Sequence, residues 1–427
     1  MDKEKARKVL RTNVLNYIPA TTLFFKVTLV IVLAIPLVWL RWDWIYGNHE
    51  LIRNIGFALA GLIGFPMLVW RTRIADRQAA TGEASHVAET YTKAIEQLGS
   101  TSDDGRPRLE LRLGGLYALE KISRNSSDYH HQIMEVLCAY IRMHAPLEGE
   151  KPTVAKSRNE KKCSLRVDIK TALSILNRRK ISQDKGQFSF DLAHTFLGYS
   201  VLSSFDFSGA DLKGTEFCVT DLANSNFTGA QLMSSNFAEA DLTGSSFQEA
   251  FLTDANFEDA RMFRVNLNDA VLFRAKLQRA GLMNANFNGA NLTSANLEEA
   301  TLTDATLVGA TLVKANLEES DLIEANLQNA KLVRTNLKGA ILVRANLSGS
   351  NLTKADLSGS DLEGANLAGA DLSRANLCGA TLTNANLAGA KLDYVKLKAA
   401  DLTKMNLTGA TYEKLVIVDE EEIMEEG

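Results

Sequence analysis

The chain has 427 residues, of which 46% are hydrophobic and 23% charged, with a net charge of −4. This length allows two or three domains, and the composition is that of folded protein rather than a disordered or collagen-like chain. Charge so nearly balanced gives no reason to expect a nucleic-acid partner, and the spacing of Cys138, Cys163, Cys218 and Cys378 matches neither a disulfide framework nor a metal knuckle.

Residues 1–80 hold two uncharged apolar runs, Val27 to Leu40 and Ile55 to Trp70, with Lys26 and Arg53 near their leading edges. The four tryptophans, Trp39, Trp42, Trp44 and Trp70, stand at the edges of these runs, where a membrane interface would place them. The pattern predicts a two-helix transmembrane hairpin. No small-residue cleavage site follows the first run, which argues against a signal peptide. Lys3, Lys5, Arg7, Lys8 and Arg11 precede the hairpin and Arg71, Arg73 and Arg77 follow it, so both ends are expected in the cytoplasm.

Residues 81–150 read as a small helical cytoplasmic domain. Ala84 to Leu98 is a run of helix formers, and Thr101 to Pro107 is a polar break. A helix then follows on Leu109, Leu111, Leu113, Leu116, Leu119 and Ile122, with Gly114-Gly115 near its start suited to close helix packing. Ile133, Val136, Leu137, Tyr140 and Ile141 mark another, and the two together are similar to an α-solenoid hairpin. His130-His131 is the one histidine cluster, and adjacent residues face different sides of a helix, so no metal site follows. In residues 151–189, Lys151 to Lys162 is a basic linker, and Asp168 to Arg179 is predicted to be a short helix capping what comes next.

From residue 190 to 412 the chain repeats every five residues. A large apolar residue occupies each position ending in 2 or 7. Between Phe207 and Tyr412, 40 of these 42 are Leu or Phe, Met262 and Tyr412 being the exceptions. Two residues earlier stands Ala, Ser or Thr in 38 of the 42, with Phe205, Val265, Val395 and Met405 departing. The residue before each centre is usually Asn or Asp. A period of five fits neither helix nor strand. Four repeats making one square turn would stack residues 20 apart, bury each centre with its small neighbour, and line up Phe207, Phe227 and Phe247 opposite Phe217, Phe237 and Phe257. Glycines two places after the centre, such as Gly209 and Gly229, suit a corner with positive φ. Counted from Leu192, 45 pentads give roughly 11 coils and a rod of ~50 Å at the strand spacing.

The A-[N/D]-L-x-x pattern resembles the pentapeptide-repeat family, which implies a right-handed, four-sided parallel β-helix. The expected fold class is therefore α plus β-solenoid. Ahead of the pentads, the segments Ala94-Ile95-Glu96-Gln97-Leu98-Gly99 and Arg112-Leu113-Gly114-Gly115-Leu116-Tyr117 are similar to those of a membrane-anchored bacterial branch of the family. That likeness implies an inner-membrane location and brings no established activity. Residues 413–427 are expected to close the rod, with Leu415-Val416-Ile417-Val418 lying over the last coil and an acidic tail, Asp419-Glu420-Glu421-Glu422 and Glu425-Glu426, solvated beyond it.

The repeats offer hydroxyls without a placed base, and the carboxylate pairs Glu298-Glu299 and Glu318-Glu319 are equivalent, so no acid–base site, cofactor or metal is expected. One charge pattern stands out. Arg274, Lys314, Arg334, Lys354 and Arg374 share a column if four pentads close one turn, and Glu239, Asp259, Glu299 and Glu319 share another a quarter-turn away. The basic column is the candidate binding surface for an acidic protein, and the expected function is a non-enzymatic scaffold, possible as a homo-oligomer. Two alternatives stand beside it. One is the DNA mimicry by which related plasmid quinolone-resistance proteins act on gyrase. The other is a sensing or conducting membrane hairpin, although neither apolar run carries a charge to line a path.

Overall fold

In this computed structural model, residues 49–147, 165–180, 190–398 and 405–417 are described. The chain divides into two compact units, Met1–Ala88 and Glu89–Gly427. In the first, helix α1 (His49–Leu98) begins, and it runs for 50 residues into the second.

The transmembrane hairpin expected for residues 1–80 is overturned. Among the described residues no helix is long and apolar enough to cross a membrane. The run from Val27 to Leu40 lies outside the described residues. The run from Ile55 to Trp70 is no separate span but a stretch of α1. Its sixteen residues rise only ~24 Å, short of a ~30 Å hydrocarbon core, and the same helix continues into Arg71, Arg73, Asp76 and Arg77. Tryptophan and arginine at the margin of an apolar run mark a change of polarity along a helix as readily as a membrane boundary.

The second unit joins a helical bundle to the rod. Helices α2 (Leu109–Asn125), α3 (Ser127–His144) and α4 (Val167–Asn177) pack on one another. Their shared core holds Leu116, Leu119, Ile133, Leu137, Ile141, Ile169 and Leu173. The end of α1 lies against α2, where a Cβ added to Gly115 would sit 2.6 Å from the Ala94 carbonyl oxygen. The bundle meets the first coil through hydrogen bonds. Phe196 N–H donates to Ala145 O (2.8 Å), and Asp206 N–H donates to Asn177 Oδ1 (3.1 Å). The Arg179 guanidinium lies 4.2 Å from the centroid of the buried Phe190 ring.

The rod is a solenoid in which four pentads make one coil. Parallel bridges join Asp191 to Asp211, Phe196 to Glu216 and so on through Lys391 to Thr411. Each centre donates its N–H to the next coil, as Leu212 does to Gln231 O at 2.8 Å, and each corner is closed by a turn such as Ala210 N–H to Phe207 O at 3.0 Å. The centres from Phe207 to Leu397 are buried. Phe207, Phe227 and Phe247 stack at 5.0 and 4.6 Å, and Phe217, Phe237 and Phe257 at 5.0 Å, with the two ladders meeting edge to face. Hydroxyls in the small slots are satisfied by carbonyls of the coil, either three residues back, as when Ser320 Oγ donates to Leu317 O at 2.7 Å, or one coil earlier, as when Thr335 Oγ1 donates to Leu312 O at 2.7 Å. Val265 and Val395 are buried in two of these slots with turn bonds of 3.2 and 3.3 Å, the first no longer than those of Thr220, Ser320 and Thr335.

The recurring Asn or Asp has two jobs. Its Oδ1 accepts the N–H two residues on, as Asp356 does from Ser358 at 3.0 Å, which shapes the corner. Asn side chains also bond coil to coil, with Asn366 Nδ2 donating to Asn346 Oδ1 at 3.2 Å and Asn386 to Asn366 at 3.1 Å. At the far end, β1 (Lys396–Leu397) pairs in parallel with β2 (Val416–Ile417). Lys396 opposes Val416, again one coil on. This segment therefore extends the ladder rather than crossing the end of the coil, and Tyr412, at a centre position, is 61% exposed.

Candidate functional site

The corner conformation decides where charged side chains go. From Leu192 to Leu392 the second residue after each centre has positive φ, and a side chain there projects from a corner of the coil. Non-glycine residues outnumber glycines there, because asparagine bonds and the inter-coil ladder hold the turn. Arg274, Lys314, Arg334, Lys354 and Arg374 all occupy this position, with φ between 57° and 62°. Each is exposed. The structure thus brings the five together along one corner, four of them on consecutive coils.

Their electrostatics differ. On this rod a corner cation commonly meets a carboxylate one coil earlier. Arg274 pairs with Asp254 at 2.6 Å, Arg279 with Asp259 at 2.9 Å and Arg344 with Glu324 at 3.2 Å, and off the corner, Arg261 of the ladder pairs with Asp241 at 3.3 Å. For Lys314 the residue one coil earlier is Ser294, and for Arg334, Lys354 and Arg374 it is another cation. Among the described residues these four make no ion pair. Arg374 lies over the Tyr394 ring, 5.9 Å from its centroid. Like charges one coil apart, ~4.8 Å, repel by up to about 1 kcal/mol per pair in water. Beside them run Val313, Val333 and Thr353, half-buried. The acidic column is less uniform: Asp259 is engaged by Arg279, which itself interrupts the column.

A second cluster was not anticipated from sequence. Asp168, fully buried at the start of α4, accepts two hydrogen bonds from Arg166 (2.8 and 2.6 Å) and one from the Tyr140 hydroxyl (2.6 Å). Arg112 of α2 is also buried, with Nη1 lacking a hydrogen bond and lying 3.7 Å from Asp168 Oδ2. Burial alone would raise the Asp168 pKa, but the bonds from Arg166 and Tyr140 outweigh it and hold the carboxyl at about 2. Burial, reinforced by that carboxylate, pushes Tyr140 up to about 12. These groups clamp three helices and are locked by one another, which suits structure rather than proton transfer. The available signal was Arg112 itself, on the same helical stripe as Leu116 and Leu119.

His130 is buried with Nδ1 3.2 Å from Ser123 O, while His131 lies 3.3 Å from Glu135, so the pair does not converge. Burial pushes the Cys138 thiol up to about 12 and Cys218 to about 11, leaving both little thiolate. No group of three or more metal-ligating residues occurs among the described residues.

The family model for pentapeptide repeats matches in eight copies, over residues 200–237, 235–279, 266–304, 302–339, 330–369 and 370–409. Among solved structures, HetL of Nostoc sp. strain PCC 7120, a pentapeptide repeat protein involved in heterocyst differentiation regulation, is 31% identical. That match covers 47% of this chain and 88% of HetL, with a TM-score of 0.25. QnrB1, a plasmid-mediated fluoroquinolone resistance protein, is 19% identical over 54% of this chain and 95% of its own, with a TM-score of 0.29. A further pentapeptide repeat protein from Nostoc PCC 7120 is 36% identical over 23% of this chain and 84% of its own, with a TM-score of 0.21. No curated protein matches the chain. With its five-residue register, its coil of four pentads and a family model that follows the repeats from residue 200 to 409, the chain belongs to the pentapeptide-repeat family.

Proposed function

We propose that this protein is a non-enzymatic interaction scaffold, and that its rod binds an acidic, extended protein segment along the corner formed by Lys314, Arg334, Lys354 and Arg374. One observation carries the reading. Of the other four corner arginines, Arg274, Arg279 and Arg344 are each neutralised by a carboxylate one coil earlier, and Arg264 lies over the Phe263 ring with Gly244 one coil earlier. Lys314, Arg334, Lys354 and Arg374 instead stack in one unbroken run of consecutive coils. An acidic partner would relieve their repulsion, and Val313 and Val333 alongside would favour a peptide with apolar side chains among its carboxylates. Arg274, the fifth member, is already bonded to Asp254 and contributes less.

The test is titration of the rod with a fluorescein-labelled polyglutamate peptide. Changing Lys314, Arg334, Lys354 and Arg374 together to Gln is expected to weaken binding by about tenfold or more, and binding to native protein should weaken as salt rises. The control changes Arg261, Arg264, Arg279 and Arg344 to Gln, the same loss of charge at another place. Equal losses in both variants would mean that the peptide senses net charge only, and the site would be lost.

A further inference from the structure

One side of the coil, with centres running from Leu232 to Leu352, turns an apolar strip outward. Its side chains include Met233, Phe251, Val271, Phe273, Val313 and Val333, all half-buried except Phe251, which is 44% exposed. Phe251 and Val271 hold the ladder position that Asn or Asp usually takes. Neither can accept the N–H two residues on, so each forgoes a turn bond, and both lie outside the core. Contiguous apolar surface of this kind marks a contact with another molecule. We propose that this face binds the same face of a second copy, with the two rods parallel and side by side about a two-fold axis along the rod. The inference does not depend on the corner's binding an acidic segment.

Charge and size along the edges of the face support a second copy. Among the described residues of this face from Gln231 to Thr353, Lys331 alone is charged. Two other sides of the same coils carry carboxylates that are costly to bury, Glu258, Glu298 and Glu318 on one and Asp241 and Asp321 on the other. The fourth side carries amides already bonded coil to coil, as Asn286 is to Asn266. In a parallel pair, the corner preceding the face in one copy meets the corner following it in the other. Lys314 then meets Gly309, Arg334 meets Asn329, and Lys354 meets Gly349, so each long cation finds a small or neutral neighbour. Arg274 meets Asp269, and Asp254, which meets Glu249, is already held by Arg274. Antiparallel rods would instead set basic corner against basic corner. Seven coils span ~29 Å, and flat β-faces pack ~10 Å apart. With two outward residues and two corners per coil, each copy offers about 28 residues, against roughly 20–30 a side in stable complexes.

The experiment is sedimentation equilibrium of the full chain, which reads the dissociation constant of self-association. Native protein is expected to dimerise, and Phe251→Asn with Val271→Asn to weaken the dimer by about tenfold or more. The thermal midpoint should not fall, because each Asn restores a turn acceptor that other coils use. The control pair, Phe263→Asn with Met283→Asn, removes apolar surface from the opposite side and should leave the constant unchanged. A native chain that stays monomeric, an unchanged constant in the first pair, or equal weakening in both pairs would overturn the proposal. Orientation is read by placing photoreactive benzoylphenylalanine at Thr353 in a mixture of isotopically light and heavy chains. Crosslinks between chains are expected to join position 353 to residues of the same coil. Crosslinks to the coils of Met233 and Phe251 would show antiparallel rods and overturn the arrangement.

Discussion

Gly115 is where the junction between α1 and α2 is most sensitive. A methyl group placed there would stand 2.6 Å from the Ala94 carbonyl oxygen, 3.1 Å from Gln97 Cβ and 3.5 Å from Leu98 N. At Gly114 the same group would meet nothing nearer than Gln97 Oε1 at 3.7 Å. Backbone cannot rotate out of the way, so Gly115→Ala must part the two helices by the better part of an ångström. Overpacking of this kind costs roughly 1–3 kcal/mol. Both substitutions gain about 1 kcal/mol of helix propensity, so their difference isolates the clash. Gly114→Ala is expected to be neutral or stabilising and Gly115→Ala destabilising, with a gap of roughly 1–3 kcal/mol. Amide hydrogen exchange across residues 109–125 reads this locally, without assuming that the whole chain unfolds in one step. If the two variants protect those amides equally, the close approach of α1 to α2 is wrong.

Three further outcomes can be checked. Leu357→Lys should lower the thermal midpoint far more than Ser358→Lys, because Leu357 is fully buried and burying an amine costs several kcal/mol, whereas Ser358 is partly exposed; equal midpoints would displace the repeat register. The depressed pKa of Asp168 makes a contribution to stability that is complete above its ordinary range near pH 4 and is lost as pH falls towards 2, worth about 2 kcal/mol. Asp168→Asn should therefore destabilise the helical bundle at pH 7 and make little difference at pH 2, measured by urea unfolding at both. Single changes along the basic corner should also separate: Arg334→Gln should weaken polyglutamate binding more than Arg274→Gln, since Arg274 is already paired with Asp254, and the reverse order would contradict the electrostatic reasoning.

The solenoid was legible because its determinants are local and repeated. The period of five, the small slots and the alternating phenylalanines each require only neighbouring residues, and the coils place them as expected. Glycine at the corner was a partial guide: the backbone does need positive φ there, but Lys, Arg, Glu and Asp meet that need as well, held by the asparagine turn and the ladder. The helices of the bundle were visible from apolar spacing, whereas the link from Arg112 to Asp168 joins residues far apart in the chain and leaves no periodic trace. The error over residues 1–80 came from weighing hydropathy and flanking residues above length, when the second run is too short to span and belongs to a longer helix. In the basic column, alignment was legible from counting four pentads per turn, but neutralisation was not. Only the contacts show that Arg274 is occupied and the next four are not.

The four-pentad coil also constrains how such a gene can change length. Gaining or losing four pentads adds or removes a whole coil and leaves every downstream residue on its original corner. Gaining one pentad between Arg334 and Lys354 would leave the core pattern intact, yet carry Lys354 and Arg374 a quarter-turn away from Lys314 and Arg334. Slippage at the DNA level by single repeats is therefore tolerated by folding but scrambles the surface, while slippage by fours lengthens the surface without disturbing it. Inheritance of a binding stripe in this architecture is governed by counting modulo four, and lineages that keep the stripe should differ in length by whole coils.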